Sequence, residues 1–181
     1  MKSVCVLTDS SIQFPQPTFA GRNLVRIIPL TVDFSSSSSE KTKLTKVSDF
    51  PFFTKADFPP NLIIPSEEML GQWLISPETN QTYDHVLAIF ASSHLCPMFS
   101  HMQNLAKSWI GKCKIQVIDS LTTSIGLGVV VQAAAESIAR GASLVEVEQI
   151  VRGLIPHIYS ILCTPNLSYL YHSKVIDVAQ A

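Results

Sequence analysis

The apolar positions of this chain fall into short blocks, and most strand-length blocks break on residues that carry hydroxyls. Residues 3–7 (SVCVL) form a continuous apolar run that ends at Thr8, Asp9, Ser10 and Ser11. A run without alternation fits a strand buried on both faces. Pro15 and Pro17 then exclude a regular helix. Residues 24–34 (LVRIIPLTVDF) are a second β-branched run, and its interruption by Pro29 predicts an edge position or a bulge. Residues 61–64 read as a short strand or extended piece. Residues 85–91 (HVLAIFA) are the most hydrophobic of these runs, which predicts a central strand stopping at Ser92 and Ser93. Residues 114–118 (KIQVI) predict a further strand, followed by the polar stretch 119–124.

Between the strands the pattern changes to helical spacing. Pro65, Ser66, Glu67 and Glu68 look like a helix entry, a hydroxyl at the N-cap followed by carboxylates at the positive end of the dipole, with the helix reaching about Ile75. Pro97 suits the first turn of a helix over residues 98–110, in which Leu105 and Trp109 share a face. Residues 125–140 are apolar on most faces, with Glu136 and Arg140 paired at i,i+4, and Gly141 stands where a C′ glycine ends a helix. Ser143 and Glu146 form the S-x-x-E signature of a capping box, opening a helix to Leu154. Residues 157–163 (HIYSILC) read as a last strand, and residues 166–181 trail off with no core to close around them. Strands alternating with helices predict an α/β fold with a mainly parallel sheet flanked by helices on both faces. One domain over residues 1–156 is expected, with residues 157–181 opening an incomplete second one.

Two segments fit neither period. Residues 35–39 are five consecutive serines, which cannot pack a core and read as a flexible loop. Residues 49–60 carry Phe50, Phe52, Phe53 and Phe58 among three prolines, too irregular for a helix and too aromatic to be solvated.

At 181 residues the chain can bury one ordinary α/β core, roughly 70% of its unfolded surface. A net charge of −1 with 15% charged residues, and no basic patch, excludes a surface that tracks nucleic-acid phosphates. No apolar run approaches the ~20 residues needed to cross a bilayer. The start, MKSVCVLTDSS, enters a strand directly and lacks the features of a secretory signal, so a cytoplasmic location is expected. Cys5, Cys96, Cys113 and Cys163 lie far apart with no C-x-x-C, which predicts buried reduced thiols.

In a parallel sheet, ligands collect at the carboxyl ends of the strands. Ser10 and Ser11, Ser66, Ser92 and Ser93, and Ser120, Thr122, Thr123 and Ser124 each follow a predicted strand or extended piece, so the four loops are expected to share one edge. With helix N-termini they would offer neutral donors to a carboxylate or phosphate, without a strong base or nucleophile. Each hydroxyl could instead cap only its own turn. Enzyme motifs are weak. Gly126-Leu127-Gly128 lacks the third glycine of a dinucleotide fingerprint and is better explained by close helix packing. His94 and His101, seven apart, are a poor metal signal. Asp9 and Asp119 could form an acid/base pair, but each is more simply matched to a local N–H or hydroxyl. Cys96 could be a thiol at a helix N-terminus, though no partner for it can be placed. No cofactor or metal is implied.

The combination of TDSS at residues 8–11, RIIPLTVDF, Pro65-Ser66, Ser92-Ser93-His94-Leu95, VIDSLTTSIGLG and LSYL at residues 167–170 resembles the DegV family, over nearly the whole chain. The resemblance implies a first α/β domain packed on a second, with a long-chain fatty acid held between them. Some members are the fatty-acid-binding subunit of bacterial fatty acid kinase, so a kinase partner is an implied expectation. By the family's motifs, hydroxyls of a T-S-Q-P-S loop and an S-S-x-L-S-G-T-Y loop hold the carboxylate. Here the second motif keeps Ser92 and Ser93 but not the later Ser-Gly-Thr, and the first reads Leu62-Ile63-Ile64-Pro65-Ser66. A basic R-K-G-G-R run is replaced by Tyr171-His172-Ser173-Lys174-Val175, and the chain stops before most of a second domain. The expected fatty-acid-binding residues are therefore Ser93 first, then Ser92, Ser66, Ser10, Ser120, Thr123 and Leu62. The expected function is non-enzymatic lipid binding. Its alternative is an enzyme, or enzyme subunit, binding a phosphorylated or carboxylated small molecule at the same edge.

Overall fold

Two of the continuous apolar runs become the middle strands of a parallel sheet, and the hydroxyl-bearing stretches become the loops at its carboxyl edge. A computed structural model of the chain describes residues 3–33, 41–44, 61–161 and 171. The main sheet has the order β2-β1-β6-β7, built from β1 (Val4–Asp9), β2 (Val25–Ile28), β6 (His85–Phe90) and β7 (Lys114–Asp119). All three pairings are parallel, and Phe90 of β6 lies opposite Asp119 of β7. From Cys5 to Asp9 on β1, and from Val86 to Phe90 on β6, every residue is buried. Both faces are therefore covered, as unbroken apolar runs require.

The run at residues 24–34 is two strands rather than one. Pro29 has no N–H for a ladder, and the chain leaves the parallel sheet there. It continues as β3 (Leu30–Asp33), the middle strand of a separate antiparallel sheet with β4 (Lys41–Leu44) and β5 (Asn61–Ile63). Ser10 joins the two sheets: its N–H donates to the Ile28 carbonyl at 3.0 Å, and its Oγ accepts the Leu30 N–H at 2.8 Å. β2 is thus the edge strand that Pro29 implied.

Helices cover the parallel sheet. After β5 comes α1 (Glu67–Gly71), continued by a 3-10 turn at Gln72–Leu74. Between β6 and β7 runs α2 (Met98–Ser108), burying Met98, Met102 and Leu105 at i, i+4 and i+7. It ends two residues before residue 110, because Trp109 is already extended with ψ 114°. After β7 comes α3 (Ser124–Ala139), packed on β1, β6 and α4 (Leu144–Leu154).

The helix ends follow the sequence signals. Gly141 adopts φ +89° beyond α3, donates to the Ile138 carbonyl at 2.9 Å, and lets Ala142 reach back to Ser137 at 3.0 Å. These are the two bonds of a Schellman motif. Ser143 and Glu146 close both halves of the capping box. The pair Glu136–Arg140 forms at 3.8 Å, but Arg140 is two-thirds exposed, so the pair adds little.

The expected strand at residues 157–163 does not form over its described residues, 157–161. Ile155–His157 is a 3-10 turn and residues 158–161 are irregular. Pro156 lacks the N–H for continued helix, and no strand partner lies alongside among the described residues. The serine tract, the aromatic segment 49–60, Cys163 and the LSYL stretch lie outside the described residues.

Candidate hydroxyl-lined site at the carboxyl edge of the sheet

Three of the four expected loops meet. Ser92 N–H donates to the Thr122 carbonyl at 2.8 Å, joining the loops after β6 and β7. Thr123 Oγ1 donates to Ser11 Oγ at 3.2 Å, joining the loops after β7 and β1. Gln13 N–H reaches the Ser124 carbonyl at 3.1 Å, and Ser124 Oγ donates to Gln13 Oε1 at 3.1 Å. Ser66 is the exception. It follows a strand of the antiparallel sheet, so the placement at the parallel edge does not hold for it. Its Oγ accepts the Met69 N–H at 3.3 Å and caps α1, the role its neighbours Glu67 and Glu68 signal. Leu62 stands on β5 opposite Val32, half-buried against the core.

The hydroxyls differ in what they still have to offer. Ser120 is buried and turned inward, its Oγ donating to the Thr122 carbonyl at 3.1 Å and accepting the Thr122 N–H at 3.3 Å. Ser92 is buried, its Oγ accepting the His94 N–H at 3.3 Å. Ser10 is committed to Leu30. Ser93 is exposed, and its hydroxyl has no hydrogen-bond partner among the described residues. Its N–H is held by the Asp119 carboxylate at 3.2 and 3.3 Å. Of the expected site residues, Ser93 alone presents an exposed hydroxyl that makes no hydrogen bond among the described residues.

Thr123 stands at the N-cap position of α3 but does not cap it, since its hydroxyl goes to Ser11. The first-turn N–H groups of a 16-residue helix are thereby left without a side-chain cap at the same edge. Such an end favours an anion. The glycines here serve packing, as their spacing suggested: a Cβ on Gly128 would strike the Gln13 carbonyl, so α3 can approach that loop only without one.

One contributor was not visible in the sequence. Ser160 Oγ lies 2.7 Å from Thr122 Oγ1, and Ile158 packs beside Gly126, so residues 158–160 lie across the β7 loop. A lone serine inside an apparent strand gave no signal of this.

Apolar groups surround the polar edge. Leu95 and Leu121 in these loops and Ile125 in the first turn of α3 are exposed, Leu121 by 61%. Leu121 also has φ +53°, a left-handed conformation that costs a non-glycine residue about 1 kcal/mol. The Asp119 carboxylate helps to hold it there by accepting its N–H at 3.0 Å. On the β2 side, a cavity of about 450 Å³ is lined by Ile28, Pro29, Thr31, Pro65, Met69 and Trp73, with Arg26 and Gln72. Ser10, bonded to Ile28 and Leu30, stands between that cavity and the Ser11–Thr123 contact. Arg26 stacks over Trp73 at 4.8 Å and donates to the Trp73 and Ile75 carbonyls at 2.9 and 2.7 Å.

The thiols have no place in this chemistry. Burial pushes Cys96 up to about 11, Cys113 to about 11 and Cys5 to about 12, so all three are inert thiols at neutral pH. Asp9 and Asp119 are both taken up by backbone N–H groups, which leaves neither placed as a general base. Among the described residues no group of three or more His, Cys, Asp or Glu could hold a metal, and no helix is long and apolar enough to cross a membrane.

Comparison with known proteins decides the family. The profile of the uncharacterised DegV family matches residues 3–181. The chain belongs to the DegV family. A DegV domain-containing protein, TTE1491 of Caldanaerobacter subterraneus subsp. tengcongensis, is 27% identical over 190 residues, a match covering 100% of this chain and 63% of the relative. Among solved structures, a DegV protein of Thermus thermophilus described for its fatty acid binding superposes with a TM-score of 0.63 at 26% identity, covering 85% of this chain and 54% of that one. The Streptococcus pneumoniae fatty acid kinase B3 protein loaded with linoleic acid gives 0.65 at 16% identity, with 85% and 54% covered. This DegV chain thus spans between half and two-thirds of the length of these relatives, and its parallel sheet and flanking helices are those of the family fold.

Proposed function

We propose that this DegV chain binds a long-chain fatty acid without transforming it, with the carboxylate at the carboxyl ends of β1, β6 and β7 and Ser93 as its first hydroxyl donor. One observation carries the reading: Ser93 holds an exposed hydroxyl without a partner among the described residues, within an edge where Ser120 and Thr123 spend their O–H groups inside the protein and the Ser10 and Ser92 hydroxyls are buried. The uncapped start of α3 adds N–H dipoles of the right sign. Exposed Leu95, Leu121 and Ile125 offer the acyl chain its first apolar contacts. The cavity beside Pro29 has a volume within the ~300–1,000 Å³ typical of small-molecule sites. Each buried methylene contributes about 0.8 kcal/mol, so the tail supplies affinity and the hydroxyls orient the head.

The name of the Thermus relative, 26% identical, agrees with this ligand. A kinase partner that phosphorylates the bound acid, and a cytoplasmic location, are parts of the same proposal, and the pneumococcal neighbour's name supports the first. The test is mass spectrometry of lipid extracted from the purified protein, followed by titration with palmitate and oleate. Saturable binding that Ser93→Ala weakens roughly five- to thirtyfold supports the reading. No binding of either acid, or full affinity in Ser93→Ala, overturns it.

A further inference from the structure

Two aspartates flank β6 and hold its carboxyl-terminal loop from opposite sides. Asp9 ends β1 and Asp119 ends β7, the two strands paired to β6. Each carboxylate makes the same local bond, accepting the N–H two residues on: Ser11 to Asp9 at 2.9 Å, and Leu121 to Asp119 at 3.0 Å. Each also crosses to the β6 loop. Asp9 Oδ2 accepts the Ala91 N–H at 2.9 Å, and Asp119 accepts the Ser93 N–H at 3.2 and 3.3 Å. Ala91 and Ser93 are two residues apart, so the loop is fixed immediately before and at Ser93. Between them, Ser92 N–H is fixed to Thr122.

We propose that Asp119 is a positioning residue for the ligand head group, with Asp9 as its buried counterpart; this rests on the fatty-acid reading above. By taking the Ser93 N–H, Asp119 sets the orientation of the peptide that carries Ser93 and leaves the hydroxyl as the one donor this residue offers. The same carboxylate holds Leu121 in its left-handed conformation, so the polar donor and an apolar neighbour are set by one group. These exposed hydrogen bonds of 3.0 to 3.3 Å contribute little to folding, whereas a displaced Ser93 would misdirect a hydrogen bond to a carboxylate, which is stronger than one to an ester.

The experiment measures displacement of a fluorescent fatty-acid probe by palmitate and by methyl palmitate, using the 181-residue protein and its Asp119→Ala, Asp119→Asn, Asp119→Glu, Ser93→Ala and Ser93→Ala/Asp119→Ala variants. Asp119→Ala is expected to lose roughly fivefold or more of the preference for acid over ester. Asp119→Asn, which keeps an acceptor oxygen in place, retains most of it. Asp119→Glu keeps the charge but moves the carboxylate by a methylene and also loses it, which decides the matter should the alanine variant fold poorly. The double variant is expected to be no worse than Ser93→Ala, because both changes remove one interaction. A retained preference in Asp119→Ala and Asp119→Glu, equal losses for acid and ester, or multiplying effects in the double variant overturns the positioning role while leaving fatty-acid binding standing. Failure of the unaltered protein to bind palmitate overturns both.

Discussion

Ser93 and Ser120 are both serines just beyond a strand end, yet only one has a hydroxyl to give. Ser120 spends its Oγ on both the N–H and the carbonyl of Thr122 inside the protein, whereas Ser93 points its own to solvent. The two substitutions therefore separate. Ser120→Ala orphans the buried Thr122 N–H, while the Thr122 carbonyl keeps the Ser92 N–H, and is expected to lower stability by about 1–3 kcal/mol, read as a shift in the denaturant midpoint. Ser93→Ala is expected to leave that midpoint within about 0.5 kcal/mol and to weaken fatty acid binding. Leu121 gives a prediction of opposite sign. Its φ of +53° and open surroundings mean that Leu121→Gly relieves strain without opening a cavity. Melting temperature is expected to hold or rise slightly, while affinity for the acyl chain falls. The buried thiols supply a pH dependence. Their folded values of about 11 to 12 lie above the ordinary thiol value of ~8.5, so the folded state holds protons that the unfolded state releases. That contribution is complete below about pH 8.5 and is lost as pH rises toward 11 and beyond. Urea melts at pH 8, 9.5 and 10.5 are expected to show a falling midpoint, and the three thiols to resist alkylation at pH 8 in the folded protein.

At the scale of elements, what could be read in the sequence was what depends on local chemistry. The capping box at Ser143 and Glu146 and the glycine end of α3 formed as their spacing required, because a cap is satisfied within a few residues of itself. Ser143→Ala is accordingly expected to cost about 1 kcal/mol, measurable by chemical denaturation. The sheet assignments failed where the partner strand is far away in sequence. Residues 24–34 look like one strand because β2 and β3 both carry β-branched residues, and only the loss of the ladder at Pro29 divides them between two sheets. Ser66 was misplaced for the same reason: nothing in residues 61–64 says that the neighbour of β5 is the antiparallel β3. Residues 158–160 have strand-like composition but lie across the β7 loop instead. Of the site, the three loops after β1, β6 and β7 could be anticipated, since each strand of a parallel sheet must end at the same edge. Which hydroxyl is free could not be, because it depends on bonds between loops as far apart as Ser11 and Thr123.

At the scale of the whole molecule, the proposed lipid binding would couple to stability through the polar edge and the neighbouring cavity. The loops after β1, β6 and β7 are joined by Ser92 to Thr122, Thr123 to Ser11 and the Gln13–Ser124 pair, and Asp9 and Asp119 tie the β6 loop at Ala91 and Ser93. A carboxylate lodged among them would add a further bridge between these elements, and an acyl chain would cover Leu95 and Leu121, which are now exposed. A ligand that binds the folded form alone stabilises it by about 2.7 kcal/mol at a hundredfold excess over its dissociation constant. For a chain of this size, that corresponds to roughly 5–10 °C in melting temperature. Scanning calorimetry with palmitate present is expected to show such a rise, growing with the logarithm of ligand concentration, and Ser93→Ala to need more palmitate for the same shift. Methyl palmitate should raise it less, since the edge then has a neutral head group to hold. An equal rise from acid and ester would assign the stabilisation to the acyl chain alone, and would remove the hydroxyl edge from the account of how this protein selects its ligand.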